Sequence, residues 1–191
     1  TRGGRKISIP PSLLFSAIAK MDDVTKSVSL DAKQAGDLVY VIGVTKPELG
    51  GSEYYAMLDA TGNNVPKVDA EQAVRTYHAV SEATGAELVN SLQSPALGGL
   101  AVAFAKVAMA GRLGLEIDLV KVPAEGCSDL EVLFSESNSR FVATVAPRHK
   151  AAFEAALAGI PFAEVGKVIA EPELILAGRS GKYTVALDAL L

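Results

Sequence analysis

The sequence predicts an α/β sandwich in which helices cover a mixed β-sheet. Segments rich in β-branched and aromatic residues alternate along the 191 residues with segments of helical periodicity. The last third of the chain is richer in strand-like segments than the rest, which disfavours a purely doubly wound parallel sheet. Hydrophobic residues make up 49% of the chain and charged residues 21%, so a disordered or collagenous protein is excluded.

Several segments have the composition of β-strands. The first, residues 12–19, follows the stiff sequence Ile9-Pro10-Pro11 and is expected to be a buried strand. Residues 22–34 are polar and irregular, so they are interpreted as a linker. The remaining strands are predicted at residues 37–44, 87–91, 115–120, 140–145, 164–170, 174–177 and 183–187.

Residues 69–84 form the clearest amphipathic helix in the sequence. Asp69 is a good N-cap, Gln72 lies three residues later as in a capping box, and Gly85 is a natural C-terminal stop. The apolar face of this helix is predicted to contain Ala70, Ala73, Val74, Tyr77 and Val80.

Three further helices are predicted. Residues 98–110 are apolar nearly all round, interrupted only by Lys106, so this helix is expected to be buried. Residues 128–136 have the character of a short helix. Pro147 can occupy the first turn of another helix, which Gly159 ends. The inward face of that helix is predicted to contain Phe153, Ala156 and Leu157.

Charge and composition exclude several classes of function. Lys and Arg number 18 and Asp and Glu number 22, which gives a net charge of −4 and no basic stripe for nucleic acid. One cysteine and two histidines leave few zinc ligands and fit a reducing, cytoplasmic setting. No apolar run approaches the roughly 20 residues of a membrane span. The first residue is Thr1, so the sequence is expected to be processed or cut from a longer chain.

The segment Gly50-Gly51-Ser52-Glu53 is the first candidate binding site. Two glycines after a strand allow close approach of a ligand, and their N–H groups can form a nest for an anion. Ser52 adds a hydroxyl, and Glu53 a carboxylate that can bind metal or act as a base. The alternative, favoured by the spacing alone, is a tight turn in which Ser52 caps a helix.

A second glycine pair, Gly98-Gly99, precedes the predicted buried helix. The helix N-terminus could favour a phosphate there, whereas close packing of the helix against the sheet is the alternative that the spacing favours. Residues 135–140 (SESNSR) form a polar cluster that can hold a phosphate or a metal-bound water, or a solvated turn. His78, His149 and Cys127 are interpreted as non-catalytic, and no catalytic residue is predicted in the chain.

Six segments together resemble one enzyme family. They are residues 4–14 (GRKISIPPSLL), 23–26 (DVTK), 36–43 (GDLVYVIG), 48–55 (ELGGSEYY), 98–103 (GGLAVA) and 133–141 (LFSESNSRF). In this order and spacing they resemble the C-terminal part of the synthetase portion of phosphoribosylformylglycinamidine synthase. The resemblance covers almost the whole chain. It implies the fold of the C-terminal half of aminoimidazole ribonucleotide synthetase.

The resemblance also implies a domain division and an activity. Residues 1–34 would be the last strand and linker of a preceding N-terminal-type domain, and residues 35–191 a synthetase C-terminal-type domain, with the boundary near Gln34. The full enzyme would use ATP, Mg²⁺ and glutamine-derived ammonia to convert formylglycinamide ribonucleotide into its amidine. The segment alone is expected to be inactive and to bind no cofactor. Upstream synthetase domains and a glutaminase domain or subunit are the implied partners, and an exposed docking surface would make the isolated segment self-associate.

The chain departs from the family pattern just before Gly98. There the family carries His-Asp-x-Ser-(Asp/Glu)-Gly-Gly-Leu, whose aspartate and serine contribute to a metal–nucleotide site in some members. Ser94 stands at the aspartate position, Ala96 at the serine position and Leu97 at the second acidic position. Because a neutral hydroxyl cannot replace a carboxylate as a ligand for a hard cation, this half-site is predicted to be degenerate.

Two other functions stay open from the sequence. The lost acidic residues and the missing catalytic set fit a diverged, non-catalytic binding or assembly module of the same fold. A weaker alternative is the C-terminal half of another ATP-dependent member of the superfamily, such as selenophosphate synthetase or a hydrogenase maturation factor. Residues 50–55 and 133–141 disfavour that alternative because they resemble the amidine synthase specifically.

Overall fold

The structure, a computed structural model, describes residues 14–190 and contains one seven-stranded sheet. The strands are β1 (Leu38–Ile42), β2 (Ser91–Gln93), β3 (Gly114–Asp118), β4 (Phe141–Val145), β5 (Phe162–Ile169), β6 (Glu173–Gly178) and β7 (Gly181–Ala186). The α-helices are α1 (Glu53–Met57), α2 (Ala70–Gly85), α3 (Gly99–Gly111), α4 (Asp129–Phe134) and α5 (Lys150–Ala156).

The strand order β2-β4-β1-β5-β3-β6-β7 makes the sheet mixed, as predicted. Only β3 and β6 pair in parallel, and the other neighbours are antiparallel. The pairing of β1 with β5 shifts register between Val39 and Tyr40, which is a β-bulge. The one parallel pair distinguishes the sheet from a simple meander of hairpins, and the antiparallel pairs distinguish it from a doubly wound parallel sheet.

Helices cover both faces of the sheet. Successive side chains of β1 point to opposite faces, so each face has its own core. Val39 and Val41 pack in the larger core with α3 and α4, where Phe104 is fully buried. Tyr40 and Ile42 pack in the second core with α2 and α5. The predicted α/β sandwich is therefore confirmed. No helix among residues 14–190 combines the length and apolar character needed to cross a bilayer.

Helix α2 is where predicted, but its predicted apolar face is only partly confirmed, since Ala73 and Val80 are buried and Ala70, Val74 and Tyr77 are exposed. Val74 is 53% exposed and Tyr77 is 49% exposed. The buried residues are Ala73, Thr76, Ala79, Val80 and Ala83. This face consists mostly of small side chains spaced three or four residues apart, which lets the helix axis approach the sheet more closely than a Val74–Tyr77 face would.

The predicted strand at residues 12–19 is wrong over the part that the structure describes. Residues 14–19 form no strand, and Leu14, Phe15 and Ile18 are 92%, 83% and 100% exposed. Residues 12 and 13 lie outside the described part. Strand-like composition gives a strand only when a neighbour supplies hydrogen bonds, and no strand at residues 14–190 pairs with this segment. Residues 22–34, predicted to be an irregular linker, contain no strand but include one short 3-10 helix, Val24–Lys26, and Ala32 of this segment is buried in the larger core.

The predicted strand at residues 87–91 is displaced to Ser91–Gln93. Glu87 has a φ of +58°, a left-handed conformation that closes the end of α2 and cannot belong to an extended strand. Pairing with β4 begins only where the Asn90 N–H donates to the Thr144 carbonyl. The other strands and helices lie within a few residues of their predicted positions.

Candidate functional site

The loop after β1 and the polar cluster at residues 135–140 meet at one end of the sheet. The Glu48 N–H donates to Ser135 Oγ over 3.2 Å, and the Lys46 N–H donates to Ser137 Oγ over 3.1 Å. Both serines are buried. The polar cluster is therefore a bracing segment inside the molecule, and the interpretation of a solvated turn applies only to its exposed Asn138.

Arg140 is the buried centre of this region. Its guanidinium donates to the Ser135 carbonyl at 2.6 Å, the Ser137 carbonyl through Nε at 2.9 Å, and Thr45 Oγ1 at 2.8 Å. The residue is only 2% exposed, and burial lowers the pKa of its guanidinium to about 10, which the nearby Glu48 carboxylate opposes. Arg140 therefore remains charged at pH 7.

The first glycine segment is a tight turn that begins helix α1. Ser52 Oγ accepts from the Tyr55 N–H and donates to the Leu49 carbonyl, so it is an N-cap. A side chain at Gly50 would lie 2.7 Å from the backbone of Asn64. The alternative of a turn with a capping serine is thus the arrangement in the structure.

The second glycine segment packs against the stretch that leads into the polar cluster. Gly98 and Gly99 have φ values of +80° and +64°, which favour glycine. A Cβ on Gly99 would lie 2.6 Å from the Ser135 carbonyl oxygen and 2.7 Å from that of Leu133. This is close packing of a helix start, as one alternative predicted, but against a loop and helix α4 instead of the sheet.

Glu136 joins the two glycine segments. Its Oε1 accepts from the Glu53 N–H over 3.0 Å and from the Gly98 N–H over 2.8 Å. A carboxylate of the chain itself therefore occupies the position between the starts of α1 and α3 where an external anion was envisaged. The sequence reasoning did not single out this role, because its two partners lie 83 and 38 residues away in the sequence.

The positions of the altered family motif lie at the surface. Ser94 and Ala96 are exposed in the segment after β2, and the Ala96 carbonyl accepts from the Gly99 N–H. Within residues 14–190 there is no group of three or more His, Cys, Asp or Glu side chains that could hold a metal. The proposed degeneracy of this half-site stays a prediction.

A small polar cavity of about 30 Å³ lies beside this region, and we call it the Glu48 cavity. Its lining consists of Val44, Lys46, Glu48, Lys67, Asp69, Gln72, Ala73, Ser137, Asn138 and Ser139. The Lys67 N–H donates to Glu48 Oε1 over 3.1 Å. The sequence reasoning flagged the serines but neither lysine nor Glu48, since only the fold brings them together.

The histidines and the cysteine have surroundings that fit non-catalytic roles. His78 is exposed on α2, and His149 Nε2 accepts from Arg148 Nε at the surface. Cys127 is buried with its thiol 3.6 Å from the Thr45 carbonyl. Burial, reinforced by Glu131, raises the pKa of this thiol, so little reactive thiolate forms at pH 7.

Comparison with known families decides the relationship of the chain. The model of the family described as "AIR synthase related protein, C-terminal domain" matches residues 34–178. The chain belongs to this family. Together with the related sequences described next, this match confirms the resemblance carried by the six sequence segments.

The related sequences carry one name. The chain is 36% identical over 174 residues to "Phosphoribosylformylglycinamidine synthase subunit PurL" of Thermococcus sibiricus, covering 88% of the chain and 23% of the relative. It is also 36% identical over 150 residues to the subunit of the same name from Methanocaldococcus jannaschii, covering 77% and 20%. The chain thus spans about a fifth to a quarter of the length of these relatives.

Solved structures share the fold. The structure titled "T. maritima PurL complexed with FGAR" matches with a TM-score of 0.75 and 23% identity, over 87% of this chain and 30% of that one. The hydrogenase maturation protein HypE in complex with ATP matches less well, with a TM-score of 0.59 and 15% identity, over 85% and 54%. At these identities the likeness concerns the fold, and it agrees with the expected aminoimidazole ribonucleotide synthetase-like architecture.

Proposed function

We propose that the chain is the C-terminal domain of the synthetase portion of a phosphoribosylformylglycinamidine synthase. The sequence identity to the PurL subunits, over most of this chain, is the observation that carries the proposal. In the proposed reaction ATP phosphorylates the amide oxygen of formylglycinamide ribonucleotide, which releases ADP. Ammonia then adds to the activated carbon and phosphate leaves, which yields the amidine.

The domain is proposed to support this reaction without performing it alone. In its polar centre, Arg140 and Glu136 each form hydrogen bonds with other groups of the domain itself. Such internal hydrogen bonding is typical of a rigid structural framework. ATP and Mg²⁺ would act in the full-length protein, mainly at residues of other domains. Mg²⁺ would neutralise the charge that develops on the transferred phosphoryl group.

We further propose that residues 1–34 are the last strand and the linker of a preceding domain, and that the end of the linker packs on the present domain, since Ala32 is buried in its larger core. Two observations support this division. The exposed Leu14, Phe15 and Ile18 are apolar side chains that an adjoining domain would cover, and the family match begins at residue 34. Upstream synthetase domains would be the partners of this surface, and a glutaminase domain or subunit would supply ammonia. The proposed setting is the cytoplasm.

The two glycine segments are proposed as phosphate sites on the condition that the Glu136 carboxylate moves away from them. Gly50, Gly51 and Ser52 lie at the start of α1, and Gly98 and Gly99 at the start of α3. Because Glu136 accepts from the N–H groups of Glu53 and Gly98, a phosphate would have to displace its carboxylate. Together with Ser94 and Ala96 in place of the family's aspartate and serine, this supports weak or absent Mg-nucleotide binding at the half-site.

The activity is tested with the native protein that contains this segment, at its natural length. Intact mass and an ammonia-dependent assay of ADP and amidine formation are measured together. A chain several times heavier than 19.8 kDa with ligase activity is expected. A native chain near 19.8 kDa without such activity would contradict the proposal and favour a diverged binding or assembly module.

The half-site is tested separately by titration of the native protein with Mg-ADP. The double substitution Ser94→Asp with Ala96→Ser restores the family's ligand types and is expected to strengthen binding at this site. Ser81→Asp, on the exposed surface of α2, is the matched control for the added charge. Full occupancy of the unmodified half-site by Mg-ADP would show that the degeneracy prediction is wrong.

A further inference from the structure

The Glu48 cavity contains a buried carboxylate oxygen that lacks a hydrogen-bond donor. Glu48 is 4% exposed, and its Oε2 has no partner, whereas Oε1 accepts from the Lys67 N–H. A buried carboxylate oxygen without a donor is costly, so such an atom indicates that something else donates to it. The cavity beside it, about 30 Å³ in volume, has room for a small hydrogen-bonding group.

The remaining lining attracts an anion. Lys46 and Lys67 line the cavity, and within residues 14–190 neither ammonium forms a salt bridge with a carboxylate. The Arg140 guanidinium is near enough to interact electrostatically with the Glu48 carboxylate, and it adds positive potential. Asp69 is the acidic residue at the rim, and its Oδ1 already accepts from the Gln72 N–H. Asn138 and Ser139 add donors beside the lysines.

The two requirements are met by one class of ligand. We propose that the Glu48 cavity binds a protonated oxyanion of the phosphate class, whose P–OH donates to Glu48 Oε2 while its anionic oxygens face the lysines. Inorganic phosphate carries at least one P–OH throughout pH 6 to 7, whereas a phosphomonoester, with a second pKa of about 6, keeps its proton in only part of the population there. Sulfate has no proton to donate in that range, so its oxygens would meet the Glu48 carboxylate with repulsion only. The site therefore discriminates phosphate from sulfate.

Charge and size disfavour the other occupants. An ammonium ion would meet the two lysine ammonium groups of the lining, which offset its attraction to the two carboxylates, and no three-ligand group for a metal is found at residues 14–190. The exposed Lys67, Asp69 and Asn138 mark the mouth of the cavity, so a phosphate tip can enter while a larger ester group stays outside. Inorganic phosphate and a phosphomonoester share this chemistry.

The inference is independent of the proposed function and is tested without ATP. The native protein is dialysed to equilibrium at pH 6.5 against labelled inorganic phosphate, glycerol 3-phosphate or sulfate, in parallel with Glu48→Gln. We expect one phosphate per chain that depends on Glu48 and is not displaced by sulfate. Glu48→Gln is expected to lower the affinity for that phosphate by about tenfold or more. The variant is also expected to bind sulfate, because the glutamine amide can donate a hydrogen bond to it.

Control variants separate binding from folding. Lys46→Ala tests the anion contact independently of Glu48 and is expected to weaken the same phosphate. Glu82→Gln and Lys106→Ala change exposed residues outside the cavity and are expected to leave binding unchanged. Preferred binding of glycerol 3-phosphate would assign the site to organic phosphates, and preferred binding of inorganic phosphate to the free ion. Phosphate binding that is unaffected by Glu48→Gln, sulfate binding equal to phosphate in the unmodified protein, or occupancy by water alone would overturn the inference.

Discussion

The side chain of Arg140 holds the polar centre together through its hydrogen bonds. Its three hydrogen bonds end on two carbonyls of its own loop and on a hydroxyl from the segment after β1. A planar guanidinium is suited to such a divergent set of acceptors, whereas an ammonium concentrates its donors at one point. The loops that contain Glu48 and Glu136 are consequently fixed relative to each other.

Replacing Arg140 by Met is expected to lower the free energy of unfolding by about 3 kcal/mol or more, since it leaves three buried acceptors without their donor. Arg140→Lys keeps the charge and is expected to recover only part of the loss. Urea unfolding of the 191-residue chain measures both. Arg75→Met, on the exposed side of α2, is the control, and an effect of Arg140→Met as small as that of the control would refute the bracing role.

The glycines allow a comparison of backbone strain with steric overlap. Gly51 and Gly99 both have positive φ, but a Cβ on Gly51 would meet nothing within 4 Å, whereas one on Gly99 would meet two carbonyl oxygens. Gly51→Ala is expected to cost about 1 kcal/mol from the left-handed conformation alone. Gly99→Ala is expected to cost clearly more, as measured by thermal unfolding. Equal costs would mean that the loop near Ser135 yields easily.

Among the helices, local sequence signals fix where a helix begins, whereas packing fixes which of its faces is buried. The capping residues Asp69 and Ser128 begin α2 and α4, and short-range hydrogen bonds explain both starts. The orientation of α2 was mispredicted because Val74 and Tyr77 are apolar but lie outside the contact with the sheet. Which helix face becomes buried depends on the shape of the sheet, and periodicity alone does not contain that information.

Asp129 connects helix α4 to the turn between β6 and β7. Its Oδ2 accepts from the Ser180 N–H at 2.6 Å, and this bond is the main cause of a pKa below the usual value for that carboxyl. A folded-state pKa below the unfolded one contributes stability above about pH 4, and the contribution is lost as the pH falls through the folded value.

Asp129→Asn is therefore expected to be less stable than the unmodified chain at pH 6 and to lose less stability on acidification. Unfolding free energies between pH 6 and pH 2.5 measure the difference between the two proteins. Glu125→Gln, in an exposed loop, is the control. A parallel pH dependence of Asp129→Asn and the unmodified chain would show that the Ser180 contact contributes nothing specific.

At the scale of the whole molecule, the exposed apolar segment before the linker stands out. Leu14, Phe15 and Ile18 lie on a stretch without secondary structure, in a protein whose other large side chains mostly fill two cores. A contiguous apolar segment of this kind is typical of an interface between domains. The isolated chain is therefore expected to associate with itself in a concentration-dependent way.

Replacing Leu14, Phe15 and Ile18 together by Ser is expected to shift the isolated chain towards the monomer in sedimentation velocity. The matched control replaces Met57, Leu58 and Val65, which are exposed apolar residues elsewhere on the surface. Because the first set lies outside both cores, its substitution is expected to leave the melting temperature nearly unchanged. If the first variant associates as strongly as the unmodified chain, self-association involves a different surface.

Local signals in the sequence are sufficient to predict many of the strands and helices, the mixed α/β class and the family. β1 and α3 are examples, because their composition leaves few alternatives. The sequence also offered the capping alternative for Ser52, which the structure contains.

Contacts between residues that are distant in the sequence follow from the tertiary fold alone. Glu136 joins Glu53 to Gly98, and Glu48 comes to lie beside Lys46, Lys67 and the serines of the polar cluster. These contacts depend on the order and register of the strands, which bring together residues tens of positions apart. The same dependence explains the failed strand at residues 14–19, since a strand exists only when a partner completes its hydrogen bonds.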